Sequence, residues 1–278
     1  MPAKRPYSLI AKSVAEYLAF IKKRSSSPTL DDLTLYRGHA DFDWELKPKI
    51  ARFPFEAPMA FAKKRDDGRH SAEKALFQMF RDWGTAMMPT WVSDGGEKEV
   101  SWRRLILAQH HGLPTRLLDW TRNPLVALFF AVDRGAVSRV NCKCPSRPHD
   151  HDSAVHVLLN RRGFTVHGLK QKRANGHAPR YAFNARVGVL FPPHMSPRIS
   201  AQSSMFTIRK DPSISITPDF SIRIPVAKRS DILAELDALG VNHFSLFPDL
   251  DGLAAYLHAV CPSWEEAAGI TRSKPPKP

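Results

Sequence analysis

Arg37 stands between Tyr36 and Gly38 at the end of a run, Leu33 to Arg37, that reads as a strand. An Arg at a strand end offers a planar fork of donors for phosphate or carboxylate, and a following glycine lets the backbone turn closely. The competing reading is a structural Arg paired with a carboxylate such as Asp119. The densest polar group lies in Ala108 to Val132, AQHHGLPTRLLDWTRNPLVALFFAV. There His110 and His111 are candidates for ribose contact or acid catalysis near neutral pH, or for capping a helix C-terminus. Asp119 and Thr121 follow in what reads as a tight loop, with Arg116 placed to lock onto Asp119 and Trp120 read as core.

Other groups are weaker. Cys142, Cys144, His149 and His151 supply two sulfur and two nitrogen donors. Structural zinc sites separate paired cysteines by roughly two to four residues, so a loop is favoured over zinc here. Between Arg139 and Arg186 the basic residues Arg139, Lys143, Arg147, Arg161, Arg162, Lys170, Lys172, Arg173, Arg180 and Arg186 face only Asp150 and Asp152. Phe164, Tyr181 and Phe183 are interleaved, a composition that suits RNA or DNA as well as a solvated insertion. Pro248-Asp249-Leu250-Asp251-Gly252 is explained by a helix N-cap.

These residues need elements to hold them. Ser8 to Lys23 has helical spacing, as do Ser71 to Met87 and Trp102 to His110. Gly112 and Pro114 stop the last of these, and Asn123-Pro124 starts a helix to Val132 that is apolar on every face. Strands are expected at Ala154 to Asn160, Val187 to Phe191, Ser204 to Ile208, Ile214 to Thr217 and Phe220 to Ile224. Asp231 to Leu239 reads as a helix stopped by Gly240, Asn242 to Phe247 as a short strand, and Leu253 to Val260 as a last helix. Helices and strands do not alternate regularly, so the class is α+β with a mixed or antiparallel sheet flanked by helices. The expected layout is an N-terminal helix in 1–28, one domain over 29–262 with a basic insertion at about 139–186, and a disordered tail over 263–278.

The chain has 278 residues, 43% hydrophobic and 10% aromatic, enough for a substantial core. Lys and Arg total 41 against 27 Asp and Glu, a net charge of +14, which favours phosphate-rich partners. Three cysteines make no disulfide framework, and no run approaches the ~20 apolar residues of a membrane span. The expectation is a cytoplasmic protein without a membrane partner.

Tyr36-Arg37-Gly38, Trp44-Glu45-Leu46-Lys47-Pro48, Arg52, the 108–132 segment, Leu239-Gly240-Val241 and Ser245 to Leu253 together resemble the FRG domain, named for an aromatic-Arg-Gly signature. More distantly, the motif order resembles the ADP-ribosyltransferase fold. That resemblance implies NAD as cofactor, with Arg37 and Gly38 at its phosphates or ribose. Asp119 to Thr121 and the helix after them would be on the nicotinamide side. Gln202, in Arg198-Ile199-Ser200-Ala201-Gln202, would stand on a later strand where that fold carries a ribose-binding Glu. The departure matters, because no acidic residue lies between Asp152 and Asp211. A glutamine can bind a hydroxyl but cannot act as a carboxylate base. The expected activity is ADP-ribosyl transfer or NAD hydrolysis by Arg37, Asp119, Gln202 and His110 or His111. The rival readings are a non-catalytic nucleic-acid-binding module and a regulatory subunit of a defence or stress system.

Overall fold

Alternating apolar residues in the chain's second half become strands of one eight-stranded sheet. The computed structural model describes residues 8–24, 34–52, 69–93, 97–133, 151–159, 165–167, 187–192, 196–209 and 211–260. The strands are β1 (Ser8–Ile10), β2 (Thr34–His39), β3 (Leu118–Thr121), β4 (Ser153–Leu159), β5 (Thr165–His167), β6 (Gly188–Leu190), β7 (Ser204–Ile208) and β8 (Phe220–Ile224). Their order across the sheet is β1-β8-β4-β2-β3-β7-β6-β5. The β1–β8 and β5–β6 pairs are parallel and the remaining pairs antiparallel, so the sheet is mixed.

The helices are α1 (Val14–Arg24), α2 (Lys49–Arg52), α3 (Arg69–Trp83), α4 (Glu97–His110), α5 (Pro124–Val132), α6 (Pro197–Ala201), α7 (Arg229–Ala238), α8 (His243–Leu246) and α9 (Leu250–Val260). Tyr17 of α1, Val126, Leu128 and Phe129 of α5, and Ile232 and Leu236 of α7 share a core with Tyr36, Val155, Val157, Phe220 and Ile222 of the sheet. Elsewhere in the sheet, Leu35, Leu118, Trp120 and Met205 pack with Leu46 and Ile216. Leu105 and Ile106 of α4 pack with Leu190, Phe206 and Ile208. Among the described residues no helix is long and apolar enough to cross a membrane.

Helix α5 starts where its sequence says it should. Asn123 Oδ1 accepts from Leu125 N (2.9 Å), and Pro124 occupies the first turn, where its missing N–H costs nothing. Gly112 (φ +84°) follows the end of α4 and Gly240 (φ +77°) that of α7, both in the left-handed region.

Several expectations are corrected. Ser8–Ile10 is not helical: it pairs with β8 and fills that strand's hydrogen-bonding edge, so the N-terminal segment belongs to the sheet. Ile214–Thr217 joins no strand, although Ile216 N donates to Leu46 O (3.0 Å). Asn242–Phe247 is not a strand, because Asn242 and Ser245 cap each other reciprocally and start α8. The strand expected at Ala154 to Asn160 is β4 (Ser153–Leu159), an interior strand, and the ten basic residues of 139–186 lie outside the described residues. The tail 263–278 lies outside them as well, as do Cys142, Cys144 and His149, whereas His151 lies within. Among the described residues no cluster of His, Cys, Asp or Glu is suited to a metal.

Candidate functional site

Strand β3 lies between β2 and β7, and the site is built around its Asp119. Tyr36 pairs with Thr121 on one side, and Phe206 of β7 lies opposite Asp119 on the other. A cleft of about 390 Å³ opens there. Arg37, Asp119, Arg52, His110, Arg198 and Gln202 line it, with Trp44 and Phe130 as aromatic walls.

Arg37 is held from two directions. Its Nε donates to His39 Nε2 (2.9 Å), and its Nη1 donates to the Asp119 carbonyl oxygen (2.6 Å). The Asp119 carboxylate is 3.9 Å from Nη1 and 55% exposed, so the pair is not the buried lock that the structural reading required. Burial lowers the Arg37 pKa to about 10, opposed by Asp119 and aided by Arg52, which leaves the guanidinium charged at neutral pH.

The His39 ring is buried and accepts the Arg37 proton, so its own proton sits on Nδ1. Burial first, then Arg37, His156 and Arg52, push its pKa well below the usual value. His156 stands edge-on to it at 4.9 Å between ring centroids and meets Ser221 Oγ at 2.8 Å through Nδ1. The neutral His39 imidazole therefore supports the arginine from beneath without competing for an anion.

Asp119 is aimed by a relay. Gln109 Nε2 donates to Asp119 Oδ2 (2.9 Å), while Gln109 Oε1 accepts from Thr115 Oγ1 (2.5 Å). Thr115 Oγ1 in turn accepts from Leu117 N (3.1 Å). The carboxylate can only accept, so it draws the amide nitrogen of Gln109, and the Thr115 hydroxyl serves the amide oxygen.

Arg52 and Arg198 differ from Arg37. Neither side chain makes a hydrogen bond or ion pair among the described residues. Arg198 sits over the Phe247 ring at 4.3 Å and senses Asp249 and Asp119. Burial lowers the pKa of both arginines, Arg52 against the pull of Asp119. Asp119 is the single carboxylate lining the cleft among the described residues, against three guanidiniums.

Arg37, Gly38, His110, Asp119, Thr121 and Gln202 all line the cleft. His111 does not; it is exposed, edge-to-face with His110 at 5.2 Å. Burial, then Arg198 and His111, lower the His110 pKa, opposed by Asp119 and Asp249, so His110 is neutral at pH 7. Thr121 Oγ1 donates to Gln202 O (2.7 Å) and accepts from Asn123 N (3.0 Å), which gives its hydroxyl a scaffolding task. Gln202 is not on a strand: it caps the C-terminus of α6 and precedes Ser203, whose φ is +47°. Its Nε2 donates to Leu246 O (3.1 Å).

Asp119 sits in a central strand rather than a tight loop. Arg116 does not lock onto Asp119 but pairs with Glu73 of α3. Trp120 is core, 3% exposed, with Nε1 donating to Thr207 Oγ1 (2.8 Å). Asp249 Oδ1 accepts from Gly252 N (2.8 Å) and caps α9, as expected. Gly38 lies within β2, paired with Val155, and not at a turn. A Cβ there would fall 2.1 Å from Ala127 O and 2.6 Å from Ala131 N, so the glycine admits α5.

Sequence reasoning missed Gln109, His39 and Arg198 as site residues. Gln109 stands beside His110, whose titratable ring is the stronger signal, and in the 198–202 run only Gln202 matches the position that the resemblance implies.

Neither a curated protein nor a solved structure matches the chain. A family model does match, over residues 32–139, and that segment contains Arg37, Gln109, Asp119 and all of α5. The 239–253 blocks that shared the resemblance lie beyond the match. The matched model is the FRG domain, and residues 32–139 of the chain are similar to it.

Proposed function

We propose that the cleft binds a phosphate-bearing nucleotide, with NAD as the ligand, and that the protein is an ADP-ribosyltransferase or NAD glycohydrolase whose sheet is built on that plan. The observation that carries the reading is Arg52 beside Arg37, a guanidinium without a carboxylate partner among the described residues, in a cleft with one acid. Two guanidiniums match a diphosphate in charge, Arg52 with its whole fork and Arg37 with the Nη protons that His39 and Asp119 leave over. Asp119, held by Gln109, would face the anomeric carbon of the nicotinamide ribose and stabilise the positive charge that develops there as neutral nicotinamide departs. Gln202 Oε1 and the neutral His110 offer hydrogen bonds to ribose hydroxyls. Trp44, 41% exposed at the cleft, gives a flat ring on which a base can stack.

Arg37→Ala tests the clamp. Losing a charge-assisted contact to phosphate should weaken NAD binding by about tenfold or more in a calorimetric titration. Nicotinamide release should fall with it, while the thermal melt stays cooperative. Unchanged NAD affinity would reject the clamp. Binding without nicotinamide release in the wild type, with and without a phosphate acceptor, would reject the enzyme and leave a nucleotide-sensing module.

A further inference from the structure

We propose that Arg198 and His110 form a second anion pole in the cleft and receive a phosphate monoester as the acceptor of the transferred ADP-ribosyl group; this rests on the NAD reading above. Topology separates the two poles. Arg37 is on β2, Arg198 is on the helix that leads into β7, and β3 with Asp119 runs between them. Adjacent strands lie about 4.8 Å apart, so the poles flank Asp119.

The Arg198 side chain makes no hydrogen bond or ion pair among the described residues; it lies over the Phe247 ring and feels Asp249 and Asp119 only at a distance. NAD itself gives that cation nothing to bind. Its diphosphate is one unit, met by Arg37 and Arg52, and its nicotinamide end is positive and would be repelled. A second anionic reactant accounts for Arg198.

The same choice explains the missing base. An alcohol or water acceptor must lose a proton to Asp119, which Gln109 already engages, or to the neutral His110, which here is given to the phosphate, while Gln202 cannot serve. A phosphate monoester has its second pKa at about 6, so it arrives as an oxyanion. A lone pair on its oxygen forms the bond to the anomeric carbon of the nicotinamide ribose. The bond from that carbon to the ring nitrogen breaks, its electron pair returns to the ring, and nicotinamide leaves neutral. One negative charge on phosphate and one positive charge on the ring disappear together, and no proton moves. His110, held neutral, donates a hydrogen bond to the phosphate.

The test uses the full chain with a terminally phosphorylated oligonucleotide, its dephosphorylated counterpart and inorganic phosphate. Affinity for each is measured without NAD, and then the ADP-ribosyl adduct is measured by mass with NAD present. The expected result is an adduct on a phosphate group, at least about tenfold above the dephosphorylated control. Adduct on the oligonucleotide points to nucleic-acid ends as the source, and adduct on inorganic phosphate to a free phosphate. Arg198→Ala should weaken phosphate binding about tenfold in the absence of NAD, and Arg198→Lys should restore part of it. NAD binding with equal adduct on both oligonucleotides, or phosphate affinity indifferent to Arg198→Ala, would overturn the acceptor pole alone. Absence of NAD binding would overturn the NAD reading and the acceptor role with it.

Discussion

Gly38→Ala is expected to destabilise the fold by about 3 kcal/mol or more. The added Cβ would meet Ala127 O at 2.1 Å, Ala131 N at 2.6 Å and Phe130 C at 2.9 Å, all backbone atoms of α5. A flexible side chain could rotate aside, but a helix backbone can relieve the clash only by moving off the sheet. Helix α5 carries Val126, Leu128 and Phe129 of the largest core, so that movement opens packing far from Gly38. A domain of ordinary stability, about 5–15 kcal/mol, would lose a large fraction of its margin. Chemical denaturation of the variant against the wild type measures the effect. An unchanged midpoint would show that β2 and α5 are not in such close contact.

The second large effect is expected at Glu73. Its carboxylate accepts from Arg116 N (3.0 Å) and from Arg116 Nε at 3.0 and 2.9 Å, and it also meets Nη2. The two side chains are 7% and 2% exposed. Glu73→Ala leaves a guanidinium buried without its anion, a loss of about 3–5 kcal/mol. Exchanging both partners for methionine should cost much less, because neither charge then remains. Denaturation of the single and double variants separates the cases, and additive losses would contradict the buried-pair account. The pair also bears on the cleft. Arg116 lies between Thr115, which orients Gln109, and Leu117, which leads into β3.

What could be read from the sequence follows from how local each signal is. The start and length of α5 were legible because Asn123-Pro124 and an all-apolar run act within a few residues. Strands β7 and β8 were legible through alternation, and Gly112 and Gly240 through the backbone conformation at a helix end. Asp119 and Arg37 were legible as residue types, and they do meet at one cleft.

The partner of Arg116 was not legible, because Glu73 lies in another helix 43 residues away and a nearer carboxylate, Asp119, stood available on paper. Ser8–Ile10 has helical spacing, yet the open edge of β8 decides its state. Gly38 was legible as a position for close approach, but what approaches is a helix that packs from elsewhere in the chain. His39 and Arg198 gain their meaning from neighbours supplied by β4 and α8, which the sequence does not place beside them.

The central claim is that a nucleotide's phosphates sit on Arg37 and Arg52, and the most direct measurement is a structure of the chain with NAD bound. The account predicts diphosphate oxygens at about 3 Å from the guanidinium nitrogens of both arginines, with the nicotinamide ribose beside Asp119. NAD bound elsewhere, or with its diphosphate turned away from Arg37, would contradict it.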